Sequence, residues 1–192
     1  GITAYLLGRR WYTNDELGFR AGRPMMAGAG FAFLGWISLF LARLIYAGFA
    51  KMGSDLGSIY LYLLFCEALC AQLWVFGLFF RVMADWRGGI AATWWSALLY
   101  GLVAFQLFAE AYNLPKVMLL YFIIWGMLYA IIRLRTGSWL GTVLIQSIQT
   151  LTVWHLFPAV TPAFSWIYGM SGLLYLVLIW RLIPKFKSDL RV

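Results

Sequence analysis

Six long apolar stretches constrain this chain more than any other feature. Crossing the hydrocarbon of a bilayer takes roughly 20 mainly apolar residues in a helix, because every backbone N–H and C=O must be paired within the segment. Only 11% of the residues are charged and 64% are hydrophobic, which is far from the composition of soluble domains. We therefore predict an all-α polytopic membrane protein with six spans, at about residues 25–49, 57–83, 88–111, 117–132, 139–157 and 163–183.

The distribution of Lys and Arg predicts how these spans are oriented. Twelve of the 15 Lys and Arg flank the side that carries both chain ends, and only Lys51 and Lys116 flank the other side. Cytoplasmic loops retain the excess of Lys and Arg, so both termini are expected to be cytoplasmic, in a bacterial cytoplasmic or photosynthetic membrane. Residues 1–24 are predicted to form an interfacial N-terminal segment, residues 25–183 the transmembrane domain, and residues 184–192 a basic cytoplasmic tail.

Two ionisable residues lie deep inside predicted spans, where a charge is costly and therefore informative. Arg43 lies in the first span and Glu67 in the second. Because the two spans run in opposite directions, both side chains are expected in the outer half of the bilayer. The sequence therefore predicts a structural ion pair between Arg43 and Glu67. The functional alternative makes Glu67 a proton carrier or a catalytic carboxylate.

The single histidine, His155, lies at the outer end of the fifth predicted span. A protein metal centre usually needs three or four ligands, and the sequence has no second histidine to supply one, so we predict no metal site. His155 is interpreted either as an interfacial residue or as a single axial ligand to a bound cofactor such as a chlorophyll-type pigment.

Three stretches carry a resemblance to a known family. They are residues 71–77 (AQLWVFG), residues 96–104 (SALLYGLVA), and residues 126–129 (GMLY) continued by 134–139 (LRTGSW) and 146–150 (QSIQT). The chain resembles the CAAX-protease and bacteriocin-processing (CPBP) intramembrane endopeptidases over about residues 66–152. In that family the first stretch carries Glu-Glu-x-x-x-Arg-Gly, in which the glutamates activate a water, and the later stretches carry two histidines and an asparagine.

The family's catalytic positions are changed in this chain. The resemblance places at those positions Ala71, Gln72, Phe76, Ala104, Gln146 and Thr150. Water activation needs a base held near the attacked carbonyl, and none of these side chains accepts a proton at neutral pH. The resemblance therefore implies a pseudo-protease scaffold with no catalytic residues.

Three functions remain open from the sequence. The first is a non-catalytic integral membrane subunit that binds partner proteins, lipids or pigments in a larger membrane complex. The second is a diverged intramembrane protease of the CPBP type, and the third is a chromophore-binding accessory subunit of a photosynthetic or respiratory complex. The expected partners are membrane lipid and other integral membrane subunits, and the composition excludes a nucleic-acid-binding domain.

Overall fold

The computed structural model describes residues 1–47, 55–112, 114–156 and 164–184, and these residues form helices without any strand. The all-α class is therefore confirmed for this part of the chain. Seven helices are described: α1 (Ile2–Gly8), α2 (Arg23–Ala47), α3 (Leu56–Arg87), α4 (Gly89–Tyr112), α5 (Met118–Thr136), α6 (Leu140–Leu151) and α7 (Phe164–Leu182).

Four of these helices are long and apolar enough to cross a membrane. They are α2 to α5, with qualifying stretches of 23, 32, 21 and 19 residues, so the chain is consistent with an integral membrane protein. The predicted fifth span, residues 139–157, corresponds to α6 and the π-helical turn Thr152–Leu156 that continues it. The predicted ends at residues 49, 157 and 163, and the tail after residue 184, lie outside the described residues.

Helix α3 is wider than a regular α-helix in two places. Its segments Leu63–Ala68 and Leu73–Phe79 are π-helical, and the α-helical turn Leu69–Gln72 separates them. Such segments are rare and occur often at functional sites. Residues five apart, such as Glu67 and Gln72, lie about 140° apart around a regular α-helix. The wider turn next to Glu67 reduces that angle and brings both side chains towards the same neighbouring helix.

The helices do not pack in simple sequence order. Helix α5 lies at the centre and packs along α4 and α7, whereas α2 and α3 each pack against α6. The predicted ion pair between Arg43 and Glu67 requires α2 to lie against α3, but among the described residues the main packing partner of α2 is α6. The reason is local: a Cβ atom on Gly141 of α6 would collide with the backbone of Met25 and Ala29, so the missing side chain lets α6 lie directly against α2.

The N-terminal segment is held to one end of the bundle by the connection between α5 and α6. Gly137 ends α5 with a φ of 74°, a left-handed conformation that favours glycine, and the chain then presents Ser138 and Trp139. Trp139 Nε1 donates to Leu17 O at 2.6 Å, and Ser138 Oγ donates to Arg20 O at 2.7 Å. These bonds fix the segment where it closes the end of α3 and α5.

Candidate functional site

Two of the positions that resemble catalytic positions face each other across α3 and α6. Gln72 Nε2 donates to Gln146 Oε1 at 2.7 Å, and the Thr142 hydroxyl lies 3.0 Å from Gln72 Oε1. Gln72 is 0% exposed and Gln146 2%. Each amide therefore satisfies the other inside the bundle, where an unpaired polar group would be costly. We call Gln72, Thr142 and Gln146 the amide cluster.

Glu67 lies at the other end of the same line of contacts. Thr150 Oγ1 donates to Glu67 Oε1 at 3.0 Å, and the Gln146 side chain is the second polar group beside the carboxyl. Glu67 therefore contacts Gln146 and Thr150, two of the residues that the resemblance to the CPBP family singled out.

The remaining positions of the resemblance carry no polar side chain. Phe76 is completely buried and packs against Tyr100 and Tyr129, with ring centroids 5.5 Å and 6.3 Å apart. Ala104 is buried and Ala71 half-buried, and each presents only a methyl group. Taken together, the six positions hold an aromatic ring, two methyl groups, two amides and one hydroxyl, so a general base at this place would have to be Glu67.

The expected ion pair between Arg43 and Glu67 is not what the structure shows. Arg43 is fully buried, and its Nη2 donates to Val153 O at 2.9 Å, at the end of α6. Within the described ranges, ion pairs join Arg81 to Glu16 and to Asp85. The physical reason is the packing order, because α6 lies beside α2 and offers a carbonyl where α3 was expected to offer a carboxylate.

Glu67 also lines a cavity of about 530 Å³ that opens on the surface of the bundle. Its polar lining consists of Ser58, Tyr62, Glu67, Thr150 and His155. Its apolar walls are formed by Ile59, Leu63, Leu107 and Phe108. The structure therefore places the single imidazole and the deepest carboxylate on one cavity, a proximity that the sequence left open. We call this space the Glu67 cavity.

The described titratable side chains near the Glu67 cavity do not form a cluster. Across the described ranges, no group of three His, Cys, Asp or Glu side chains comes together, and His155 and Glu67 share no hydrogen bond there. The two residues therefore line the cavity as separate groups.

A second buried polar cluster was not predicted from the sequence. Gln149 Nε2 donates to Tyr175 OH at 2.8 Å and to Tyr121 OH at 3.2 Å, which joins α5, α6 and α7. The signal was present in α6, where four polar residues recur at helical spacing and are all buried: Thr142, Gln146, Gln149 and Thr150. In a membrane helix, such an inward polar stripe marks contacts with neighbouring helices.

Comparison with known proteins assigns the chain to no family. No protein-family model matches the sequence, and no curated protein or solved structure is significantly similar to it.

Proposed function

We propose that this protein is a non-catalytic integral membrane subunit, built on a CPBP-like scaffold, that binds partner proteins and lipids in a larger membrane complex. The observation that carries the proposal is the amide cluster. The resembled family holds a water-activating carboxylate at this place, whereas here two amides are hydrogen-bonded to each other at 2.7 Å and closed off from solvent. An amide takes no proton at neutral pH, so this pair cannot activate a water.

The surface of the bundle supports a role in binding. Large aromatic side chains project outward from α4 and α7: Trp94 is 65% exposed, Trp166 78% and Trp180 68%. Tryptophan is favoured at membrane interfaces, and it is also enriched in contacts between proteins. With short connections between α3, α4, α5 and α6, these helix faces are the surface that the chain offers to lipids or to other subunits.

The test is purification of the full-length protein from its native membrane in a mild detergent. We expect stoichiometric membrane subunits to co-purify and to dissociate at higher detergent concentration. The variant Trp180→Ala changes an exposed helix face and leaves the buried polar clusters intact, so it tests whether that face contributes to co-purification. A monodisperse monomer free of partners would contradict the proposal.

The runner-up function is a diverged intramembrane hydrolase, and the Glu67 cavity favours it. Glu67 and His155 line one space with the hydroxyl of Thr150, and a carboxylate beside an imidazole can in principle serve general acid–base catalysis. Cleavage of a peptide by the pure protein, lost in Glu67→Gln and retained in Asp85→Asn, would establish this function in place of the first. No cleavage by the pure native protein supports the non-catalytic role.

Pigment binding through His155 is a further alternative, because the imidazole is exposed on the Glu67 cavity. The absorption spectrum of natively purified protein tests it directly. If His155 is an axial ligand, His155→Ala removes one chromophore band and leaves the helical content unchanged.

We also propose six spans with both termini on the cytoplasmic side of a bacterial membrane. The support is the distribution of Lys and Arg, together with the four long apolar helices. In a variant with Cys66 and Cys70 replaced by serine, single cysteines introduced near Arg87 and near Lys116 should react with a membrane-impermeant thiol reagent from opposite sides. Labelling of both from the same side would contradict this orientation.

A further inference from the structure

The Glu67 cavity has an unusual balance of charge for a space at the surface of an apolar bundle. Among its described lining residues, Glu67 is the only acid and there is no Lys or Arg. In surroundings of low dielectric constant, a carboxylate attracts a cation far more strongly than it does in water. The cavity therefore favours a cationic group over an anionic one.

The Glu67 carboxyl also retains capacity for further hydrogen bonds. A carboxylate offers about four lone-pair sites, and the Thr150 hydroxyl and the Gln146 amide occupy two of them. Tyr62 and Phe108 also line this space, and aromatic rings attract cations that approach their faces. A ligand group with several N–H donors can therefore hydrogen-bond to the remaining lone-pair sites of Glu67. A quaternary ammonium has no N–H and cannot do so.

The apolar walls of the Glu67 cavity favour contact with a hydrocarbon chain. Ile59, Leu63 and Leu107 line the cavity with Phe108, and Leu107 is 61% exposed on the outer surface of α4. In a membrane, that surface faces acyl chains. A molecule that reaches Glu67 from the lipid can keep its own chain against these side chains.

We propose that the Glu67 cavity binds an amphiphile with a primary ammonium head group, which donates hydrogen bonds to the Glu67 carboxylate while its chain lies along Leu63 and Leu107. The ligand is either a free long-chain amine or an aminophospholipid, since both present the same group. This site stands independently of the proposed scaffold role, because it needs no partner subunit.

The experiment uses the full-length protein in phosphatidylcholine nanodiscs and a long-chain primary amine that carries a diazirine in its chain. After illumination, mass spectrometry maps the labelled peptides. We expect labelling at residues 59–63 and 107–108, displaced by dodecylamine and about tenfold less efficiently by dodecanol, because the alcohol keeps an O–H donor but lacks the positive charge that the carboxylate attracts. Glu67→Gln should weaken displacement by a similar factor, whereas Asp85→Asn, on the same helix outside the cavity, should not.

Two further measurements separate a loss of binding from poor folding and identify the source of the ammonium group. Leu107→Trp fills the cavity without touching the polar contacts, and it should reduce labelling even if Glu67→Gln folds poorly. Competition by phosphatidylethanolamine identifies a lipid head group as the source of the ammonium, and competition by dodecylamine alone identifies a free amphiphile. Labelling outside the cavity, equal displacement by dodecanol or dodecyltrimethylammonium, or an unchanged Glu67→Gln variant would overturn the proposal.

Discussion

The two ends of one line of polar contacts differ in what surrounds them. At one end, Gln72 and Gln146 satisfy each other and are closed off from solvent. At the other end, Glu67 meets the side chains of Thr150 and Gln146 and lines a cavity of about 530 Å³. A closed pair of amides joins two helices, whereas part of the Glu67 carboxyl borders open space.

The largest effect is expected from Gln146→Leu. This change removes the acceptor of Gln72 and the amide beside Glu67, and it leaves the buried Gln72 side chain with an unsatisfied donor. We expect a loss of roughly 2 kcal/mol in the free energy of unfolding, measured by thermal unfolding in detergent. Gln106→Leu, which changes an exposed amide on α4, is the matched control and should cost about 0.5 kcal/mol at most.

The double variant Gln72→Leu with Gln146→Leu tests whether the two amides stabilise the protein as a pair. Replacing both partners removes the unsatisfied group, so the pair should be less destabilising than the sum of the two single changes. Strictly additive losses would show that the two amides do not depend on each other.

A smaller effect is expected from Thr142→Val. The change keeps the side-chain volume and removes the hydroxyl that lies 3.0 Å from Gln72 Oε1. Gln72 retains its bond to Gln146, so the free energy of unfolding should fall by about 1 kcal/mol. A loss as large as that of Gln146→Leu would mean that Thr142, and not the amide pair, holds α3 to α6.

Glu67→Gln should have less effect still on stability. Glutamine keeps an oxygen that can accept from Thr150, and the cavity gives its new amide room for water. We expect a change within about 0.5 kcal/mol by thermal unfolding. A loss comparable to that of Gln146→Leu would show that Glu67 is a structural group like the amides, and the contrast between the two ends would fail.

The smallest effect concerns a carboxyl outside the spans. The Thr13 backbone N–H and its hydroxyl both approach Glu16 Oε2 at 2.8 Å, and these bonds lower the pKa of Glu16 below its ordinary value of 4.5. A lowered pKa contributes stability that is present above about pH 4.5 and is lost as the pH falls through the folded-state pKa. Thr13→Ala should raise the pKa of Glu16 towards its ordinary value, as measured by NMR titration, and it should slightly reduce the loss of stability in acid.

Much of the fold followed from hydropathy, because long apolar stretches have few alternatives to a helix in a membrane. The second predicted span, residues 57–83, became α3 at Leu56–Arg87. The packing partners of each helix could not be predicted in this way, because hydropathy does not specify which apolar helix faces contact one another. Arg43 consequently acquired a carbonyl partner on α6 in place of Glu67. The positions of Gln72 and Gln146 were identified by resemblance, but their mutual hydrogen bond and the cavity depend on tertiary packing.

The widened turns of α3 have a consequence for how such a chain can change over time. A π-helical turn holds about one residue more than an α-helical turn, so the extra residue is absorbed locally and the helix on either side keeps its facing. Deleting one residue from Leu63–Ala68 would therefore restore an α-helical turn with little rotation of the flanking helix. The same deletion would remove the local widening that directs Glu67 and Gln72 towards α6.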